Sequence, residues 1–181
     1  MHGDEAWIQT YSGKMFWPLD PRPQDVFIED IAHALALKCR YGGHCLEFYS
    51  VAQHSCLVAD VVHRDGGNAR AVLTALLHDA SEAYTADIVR PVKKHIRQFA
   101  EIEERLERVI SERFNLLYPF PPGIKRADSV LLLTEARDIM AKPPKPWQTF
   151  GVRPANFPIV PVSWQNAKAA FLDKFHELVP F

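Results

Sequence analysis

An apolar helical pattern that ends in a dense group of ionisable side chains limits most strongly how this chain can fold. Leu73, Leu76 and Leu77 share one face of a predicted helix over 68–79. Four ionisable side chains follow within ten residues, namely His78, Asp79, Glu82 and Asp87. Because an unpaired charge is costly to remove from water, a core helix with such an end needs a compensating partner.

Helical periodicity also dominates the rest of the chain, which indicates an all-α fold. Further helices are predicted near 28–39, 51–63, 96–114, 124–140 and 164–178. At the N-terminus, two extended stretches flank Ser12-Gly13-Lys14 and predict a small β-hairpin.

We expect one domain over residues 1–181, which is long enough to bury a core. Within it, 1–24 form the hairpin and an extended arm, 142–163 form a Pro-rich segment, and 164–178 form the C-terminal helix.

The charge balance and the cysteines exclude several classes of protein. A net charge of −1 argues against a general nucleic-acid binder. The sequence has no apolar run of membrane-spanning length and no secretory signal pattern. Its cysteines, Cys39, Cys45 and Cys56, form no CxxC pair and are typical of reduced thiols. We therefore expect a cytoplasmic protein that binds neither nucleic acid nor membrane.

Two further residues give the ionisable group a partner. His54 lies in the first turn of the predicted 51–63 helix, and antiparallel packing against the next helix would place it beside His78 and Asp79. Asp128 lies in the first turn of a third helix. Two imidazoles and two carboxylates suit a divalent transition metal such as Co²⁺, Mn²⁺, Fe²⁺, Ni²⁺ or Zn²⁺. A metal would compensate the carboxylates that are withdrawn from water.

The order His, His-Asp, Asp resembles the signature of the HD-domain phosphohydrolases, whose fold is a helical bundle. The stretch HDASEAYTADIVRPVKK is similar to segments of the small 5′-deoxynucleotidases and of the phage dATP triphosphohydrolases of the 2-aminoadenine DNA pathway. The resemblance covers roughly residues 28–140. It implies a divalent metal, Mg²⁺ included, held by His54, His78, Asp79 and Asp128.

The same resemblance implies a role for six more residues. Glu82 and Asp87 would act on the attacking water, and Glu82 is our candidate proton shuttle. Lys93 and Lys125 would meet phosphate, and Arg40-Tyr41 would contact phosphate and sugar.

Three functions remain open from the sequence. The first is a dATP or dNTP triphosphohydrolase that releases deoxynucleoside and tripolyphosphate by attack at the α-phosphate. We favour it because the basic runs at 90–97 and 125–126 would neutralise a triphosphate. The second is a 5′-deoxynucleotidase that acts on monophosphates, and the third is a non-catalytic nucleotide-binding module.

The resemblance further implies a homo-oligomer, either a dimer or a hexamer, in which the Pro-rich segment could supply an interface. It also implies the host cytoplasm as the location if the chain is phage-encoded.

Overall fold

The structure is a computed structural model that describes residues 6–147 and 151–179. Within these residues it contains seven α-helices and one two-stranded antiparallel sheet. The strands are β1 (Ile8–Gln9) and β2 (Met15–Phe16); the helices are α1 (Ile28–Leu37), α2 (Val51–Arg64), α3 (Ala69–Leu76), α4 (Arg90–Lys93), α5 (Arg97–Phe114), α6 (Pro122–Asp138) and α7 (Trp164–Leu178). Short 3₁₀ turns occupy Pro23–Asp25, Arg40–Gly43 and Ala80–Ala83. The predicted helical fold with an N-terminal hairpin is confirmed.

The hairpin is tied to the helices by its turn. Ile8 pairs with Phe16 in the antiparallel register. The backbone N–H of Ser12 donates to Asp30 Oδ1 at 2.7 Å, and its hydroxyl donates to Oδ2 at 2.9 Å. Asp30 lies in α1, so the turn is anchored to a buried carboxylate of the first helix.

Helix α2 is the centre of the fold, with α1, α3, α6 and α7 packed against it. Its valines and alanines are buried because they recur at helical spacing on the faces that meet these neighbours. The Ser50 side chain caps the helix by accepting from the backbone N–H of Gln53, as predicted. The start of α2 therefore has a fixed position deep in the protein.

Gln53 does not complete the predicted reciprocal cap. Its side chain instead donates to the carbonyl of Val160 at 2.8 Å and accepts from the N–H of Val162 at 3.0 Å. The amide thus joins the first turn of α2 to the Pro-rich segment, which has its own backbone groups to satisfy.

Helix α3 ends at Leu76, three residues earlier than the sequence predicts. Leu77 and Asp79 have φ near −100° with ψ near 10°, outside the helical region, before the 3₁₀ turn begins at Ala80. Adjacent side chains of a continuous helix do not face each other. The early end of the helix lets His78 and Asp79 approach the same point.

The described part of the Pro-rich segment is bound to α6 of its own chain. Thr134 accepts from the N–H of Ala155, Arg137 donates to the carbonyls of Ala155 and Phe157, and Asp138 accepts from the N–H of Ile159. Residues 148–150 of this predicted segment, and 1–5 of the N-terminal arm, lie outside the described residues.

Among the described helices, a stretch that combines the length and the apolar character needed to cross a bilayer is not found.

Candidate active site

The four predicted metal ligands converge from three parts of the fold. His54 comes from the first turns of α2, His78 and Asp79 from the turn after α3, and Asp128 from α6. His54 Nε2 lies 3.4 Å from Asp128 Oδ1 and 3.7 Å from Asp79 Oδ2, and His78 Nε2 lies 3.3 Å from Asp79 Oδ1. One ligand atom from each of His54, His78 and Asp128 fits within 4.8 Å, a grouping that can hold a metal ion.

Both histidines are oriented through their other ring nitrogen. His54 Nδ1 contacts Glu135 Oε1 at 2.6 Å, and His78 Nδ1 contacts the carbonyl of Ala75 at 2.7 Å. A proton on Nδ1 leaves the Nε2 lone pair free for a metal, and carboxylates or carbonyls commonly fix this tautomer. In the part of the chain that the structure describes, both Nε2 atoms are buried without a hydrogen-bond partner. The grouping of His54, His78 and Asp128 therefore fits a divalent cation, and Asp79 lies beside this grouping without being part of it.

The electrostatics keep the carboxylate of Asp128 ionised. Burial would raise the pKa of Asp128, but the contact with His54 holds it well below its ordinary value. Burial and the Arg40 guanidinium would lower the pKa of the fully buried His54, but the carboxylates of Glu135 and Asp128 raise it to about 9. The cluster is thus an anionic site that already attracts a positive charge.

Comparison with known proteins agrees with this geometry. The sequence profile of a family described as 5′-deoxynucleotidase YfbR-like matches residues 40–139, which include all four predicted ligands. The chain belongs to the YfbR-like family. Family membership makes it an HD-domain phosphohydrolase, as the resemblance implies.

Three curated relatives are also similar to this YfbR-like chain. YfdR, an uncharacterised protein of Escherichia coli, is 34% identical over 96% of this chain and 96% of its own length. An uncharacterised protein of Rhodobacter capsulatus is 41% identical over 74% of this chain and 73% of its own length. A 5′-deoxynucleotidase of Photorhabdus laumondii is 33% identical over 39% of this chain and 41% of its own length.

A cavity of about 430 Å³ opens beside the metal ligands, within the size range of small-molecule sites. Asp79 and Asp128 form part of its wall, so a molecule in the cavity would lie against two of the predicted metal ligands. The remaining lining residues are Arg40, Tyr41, Glu82, Asp87, Ile88, Val89, Arg90, Pro91, Lys93, Leu132 and Trp147. Five of the six predicted catalytic and substrate-binding residues are among them.

Glu82 and Asp87 lie on the carboxylate side of this cavity. Glu82 follows Asp79 by one turn, is 8% exposed, and has a buried Oε2 without a hydrogen-bond partner among the described residues. Burial and the carboxylates of Asp79 and Asp87 raise the pKa of Glu82 well above its ordinary value. Burial likewise raises the pKa of Asp87. A carboxyl group with a raised pKa in a cavity is a candidate for accepting and releasing a proton during a reaction.

Arg40 and Tyr41 are held by one buried carboxylate. Arg40 NH2 lies 3.3 Å from Glu135 Oε2, Arg40 NH1 lies 3.5 Å from Asp79 Oδ2, and the Tyr41 hydroxyl donates to Glu135 Oε2. Tyr41 has a φ of 57°, which is rare for an aromatic residue and costs about 1–3 kcal/mol. The hydrogen bond to Glu135 helps to keep this strained residue at the cavity wall.

The two predicted phosphate-binding lysines have different surroundings. Lys93 lines the cavity, and its ammonium group lies 2.7 Å from Glu103 Oε1 of α5. Burial would lower the pKa of Lys93, but the bond to Glu103 raises it, so the side chain stays charged. Lys125 is exposed in the first turn of α6 and does not line the cavity.

Sequence reasoning missed Glu135 and Trp147, and it included Arg90 only as part of the basic run 90–97. Glu135, which is fully buried, lies seven residues after Asp128 and therefore on the same face of α6, a spacing that could have revealed it. Arg90 lines the cavity with its NH2 3.6 Å from Asp128 Oδ2. Trp147, which falls in the predicted Pro-rich segment 142–163, lines the cavity beside Tyr41, and no local pattern marked it.

Proposed function

We propose that this chain is a metal-dependent 5′-deoxynucleotidase that removes the phosphate from deoxynucleoside 5′-monophosphates. The charge of the cavity carries the proposal. Four carboxylates line it (Asp79, Glu82, Asp87 and Asp128) against three cations (Arg40, Arg90 and Lys93). With all four carboxylates ionised, a divalent cation would leave one positive charge in surplus, which is closer to what a monophosphate needs than to what a triphosphate needs.

The pairing of these cations strengthens the argument. Arg40 is bound to Asp79 and Glu135, and Lys93 is bound to Glu103. Cations that already neutralise carboxylates have less attraction left for additional phosphate groups. The family description and the Photorhabdus relative both name a 5′-deoxynucleotidase, which supports the same substrate class.

Each residue of the site has a separate proposed role in the reaction. His54, His78, Asp79 and Asp128 would hold the metal, which when bound would polarise the phosphoryl group and acidify water. Glu82 would take a proton from the attacking water, and Asp87 would orient that water. Lys93 and Arg90 would offset charge that develops on the phosphate, and Arg40 would keep Asp79 in position.

A triphosphohydrolase is the second candidate. Its support is the group of exposed basic side chains beyond the cavity, Lys94, His95 and Arg97, which follow Arg90 at the rim. These residues would meet the β- and γ-phosphates of a substrate whose α-phosphate lies at the metal. The preference for dATP, the phage origin, the cytoplasmic location and the homo-oligomer stay predictions.

Product identification separates these candidates. The purified protein would be incubated with Co²⁺, Mn²⁺ or Mg²⁺ and with dAMP, dGMP, dATP or AMP, and the products resolved by ion-pair chromatography. We expect deoxynucleoside and inorganic phosphate from the deoxynucleoside monophosphates, and no reaction in the Asp79→Ala control. Tripolyphosphate from dATP, with dAMP untouched, would establish the triphosphohydrolase instead. Metal binding without turnover of any of these substrates would favour the non-catalytic binding module.

A further inference from the structure

The cavity has an apolar side as well as a charged one. Five largely apolar side chains, those of Tyr41, Ile88, Val89, Leu132 and Trp147, form much of its wall. A phosphate group gains nothing from such a surface, because it would lose hydration there without a partner. The apolar side is therefore suited to a different part of the substrate.

The distance along α6 places this apolar side within reach of a nucleotide bound through its phosphate. Leu132 follows Asp128 by four residues, so the two lie on the same face about 6 Å apart along the helix axis. A sugar would span this interval. A group attached to the far side of the sugar would then lie against the apolar wall.

Two aromatic side chains of the cavity wall, Tyr41 and Trp147, offer a surface for such a group. The rings of Tyr41 and Trp147 have their centroids 5.6 Å apart with an interplanar angle of 57°. Tyr41 is fixed from behind by its hydroxyl bond to the buried Glu135. Trp147 is half-buried, so part of its surface is covered by the protein and part remains open.

We propose that Trp147 is the side chain against which the nucleobase of the substrate packs. The inference rests on the proposed nucleotidase function and adds a determinant of specificity for nucleotides over simple sugar phosphates. Trp147 lies outside residues 40–139, the part of the chain that matches the family profile. Because every base has a π-face, stacking on an indole ring tolerates different bases and predicts broad base acceptance.

Substrates with and without a base test the role of Trp147. The variants are Trp147→Ala, Trp147→Phe and, as a matched control, Trp7→Ala, which truncates an exposed tryptophan near the N-terminal hairpin. Each Co²⁺-loaded protein would be assayed for hydrolysis of dAMP and of 2-deoxyribose 5-phosphate, and for binding of both compounds by calorimetry.

We expect Trp147→Ala to raise the KM and the Kd for dAMP about tenfold while leaving both constants for 2-deoxyribose 5-phosphate unchanged. Trp147→Phe should retain most of the affinity for dAMP, and Trp7→Ala should match the unsubstituted protein. A loss in Trp147→Ala that is equal for both compounds would overturn the inference, because it would show that Trp147 only positions the Pro-rich segment.

The measurements of binding and of hydrolysis also separate this inference from the proposed function. Base-dependent binding without hydrolysis of dAMP would refute the nucleotidase and support the role of Trp147. Hydrolysis of dAMP with a KM and a Kd that Trp147→Ala leaves unchanged would support the nucleotidase and refute the role of Trp147. Failure of the unsubstituted protein to bind either compound would overturn both.

Discussion

Two regions of the molecule are rich in ionisable side chains. One is the metal-ligand cluster, formed by the four predicted ligands and Glu135, and the other is the basic segment 90–97. The two regions differ in burial. In the cluster, His54 and Glu135 are fully buried, and their contacts of 2.6–3.7 Å fix the ligand atoms. In the basic segment, Arg90 has a side chain that is 65% exposed, and Lys94 is also exposed. Water and salt screen the interactions of exposed charges, whereas buried charges interact more strongly with their neighbours.

This difference shows why the density of charge in a sequence does not locate the substrate. The basic segment contains more cations than the cavity uses, and Lys93 reaches the cavity wall while bound to Glu103. The metal-ligand cluster instead brings together groups from α2, from the turn after α3 and from α6. We therefore expect substitutions in the cluster to have the larger effects.

Removal of a metal ligand should have the largest effect. We expect Asp79→Ala and His54→Ala to lose bound metal and to reduce turnover by about 1000-fold or more, because the metal contributes several kcal/mol to the transition state. Metal content would be measured by mass spectrometry together with phosphate release. The control is His63→Ala, an exposed histidine of the same helix as His54. Full turnover by a metal-free Asp79→Ala protein would refute the site.

Glu82→Gln should separate metal binding from catalysis. Because Glu82 lines the cavity without being one of the four proposed ligands, the variant should keep its metal and lose about 10²- to 10⁴-fold in kcat. Glu104→Gln, an exposed carboxylate of α5, serves as the control. A kcat equal to that of the unsubstituted protein would remove Glu82 from the mechanism.

Glu135→Gln tests whether the buried carboxylate orients the metal ligand. Burial would raise the pKa of Glu135, but Arg40 and His54 lower it to about 2, so a full negative charge faces His54 Nδ1. Its loss should weaken metal affinity about 10- to 100-fold in a titration followed by calorimetry. The exposed Glu177→Gln should leave the affinity unchanged. If Glu135→Gln also leaves it unchanged, Glu135 only fills the core.

The two predicted phosphate-binding lysines allow a direct comparison. We expect Lys93→Ala to raise the KM for dAMP about tenfold, the effect of losing one charge-assisted hydrogen bond, and Lys125→Ala to raise it less. Of these two lysines, Lys93 lines the cavity and Lys125 does not. The adjacent Lys94→Ala controls for surface charge. A larger effect from Lys125 than from Lys93 would show that the phosphate lies outside this cavity.

The smallest expected effect is on the stability of the fold and comes from Glu107 of helix α5. Burial and the charge of Glu103 raise the pKa of Glu107 to about 7, whereas its pKa in the unfolded chain is about 4.3. Between these values the folded state binds more protons, so stability falls as pH rises from about 4 to 7. Glu107→Gln should raise Tm at pH 8 by no more than about 3 °C and leave it unchanged at pH 4. An equal shift at both pH values would contradict the titration of Glu107.

Local patterns were sufficient to predict the hairpin, six of the seven described helices and the four proposed metal ligands, but not the short helix α4. Apolar periodicity follows from burial of one helix face, and the Ser50 cap satisfies backbone groups within its own turn. The order of His54, His78-Asp79 and Asp128 along the chain marks the family, and in this structure the three segments that carry these residues meet at one site.

Tertiary structure decided what the sequence could not. The early end of α3, the placement of Glu135 between His54 and Arg40, and the arrival of Trp147 at the cavity all depend on contacts between distant parts of the chain. Lys93 and Lys125 look equivalent in the sequence, but only folding places one of them in the cavity. The residue types determined which chemistry is available. The packing of the helices determined which groups meet, because burial fixes distances that separation along the chain leaves open.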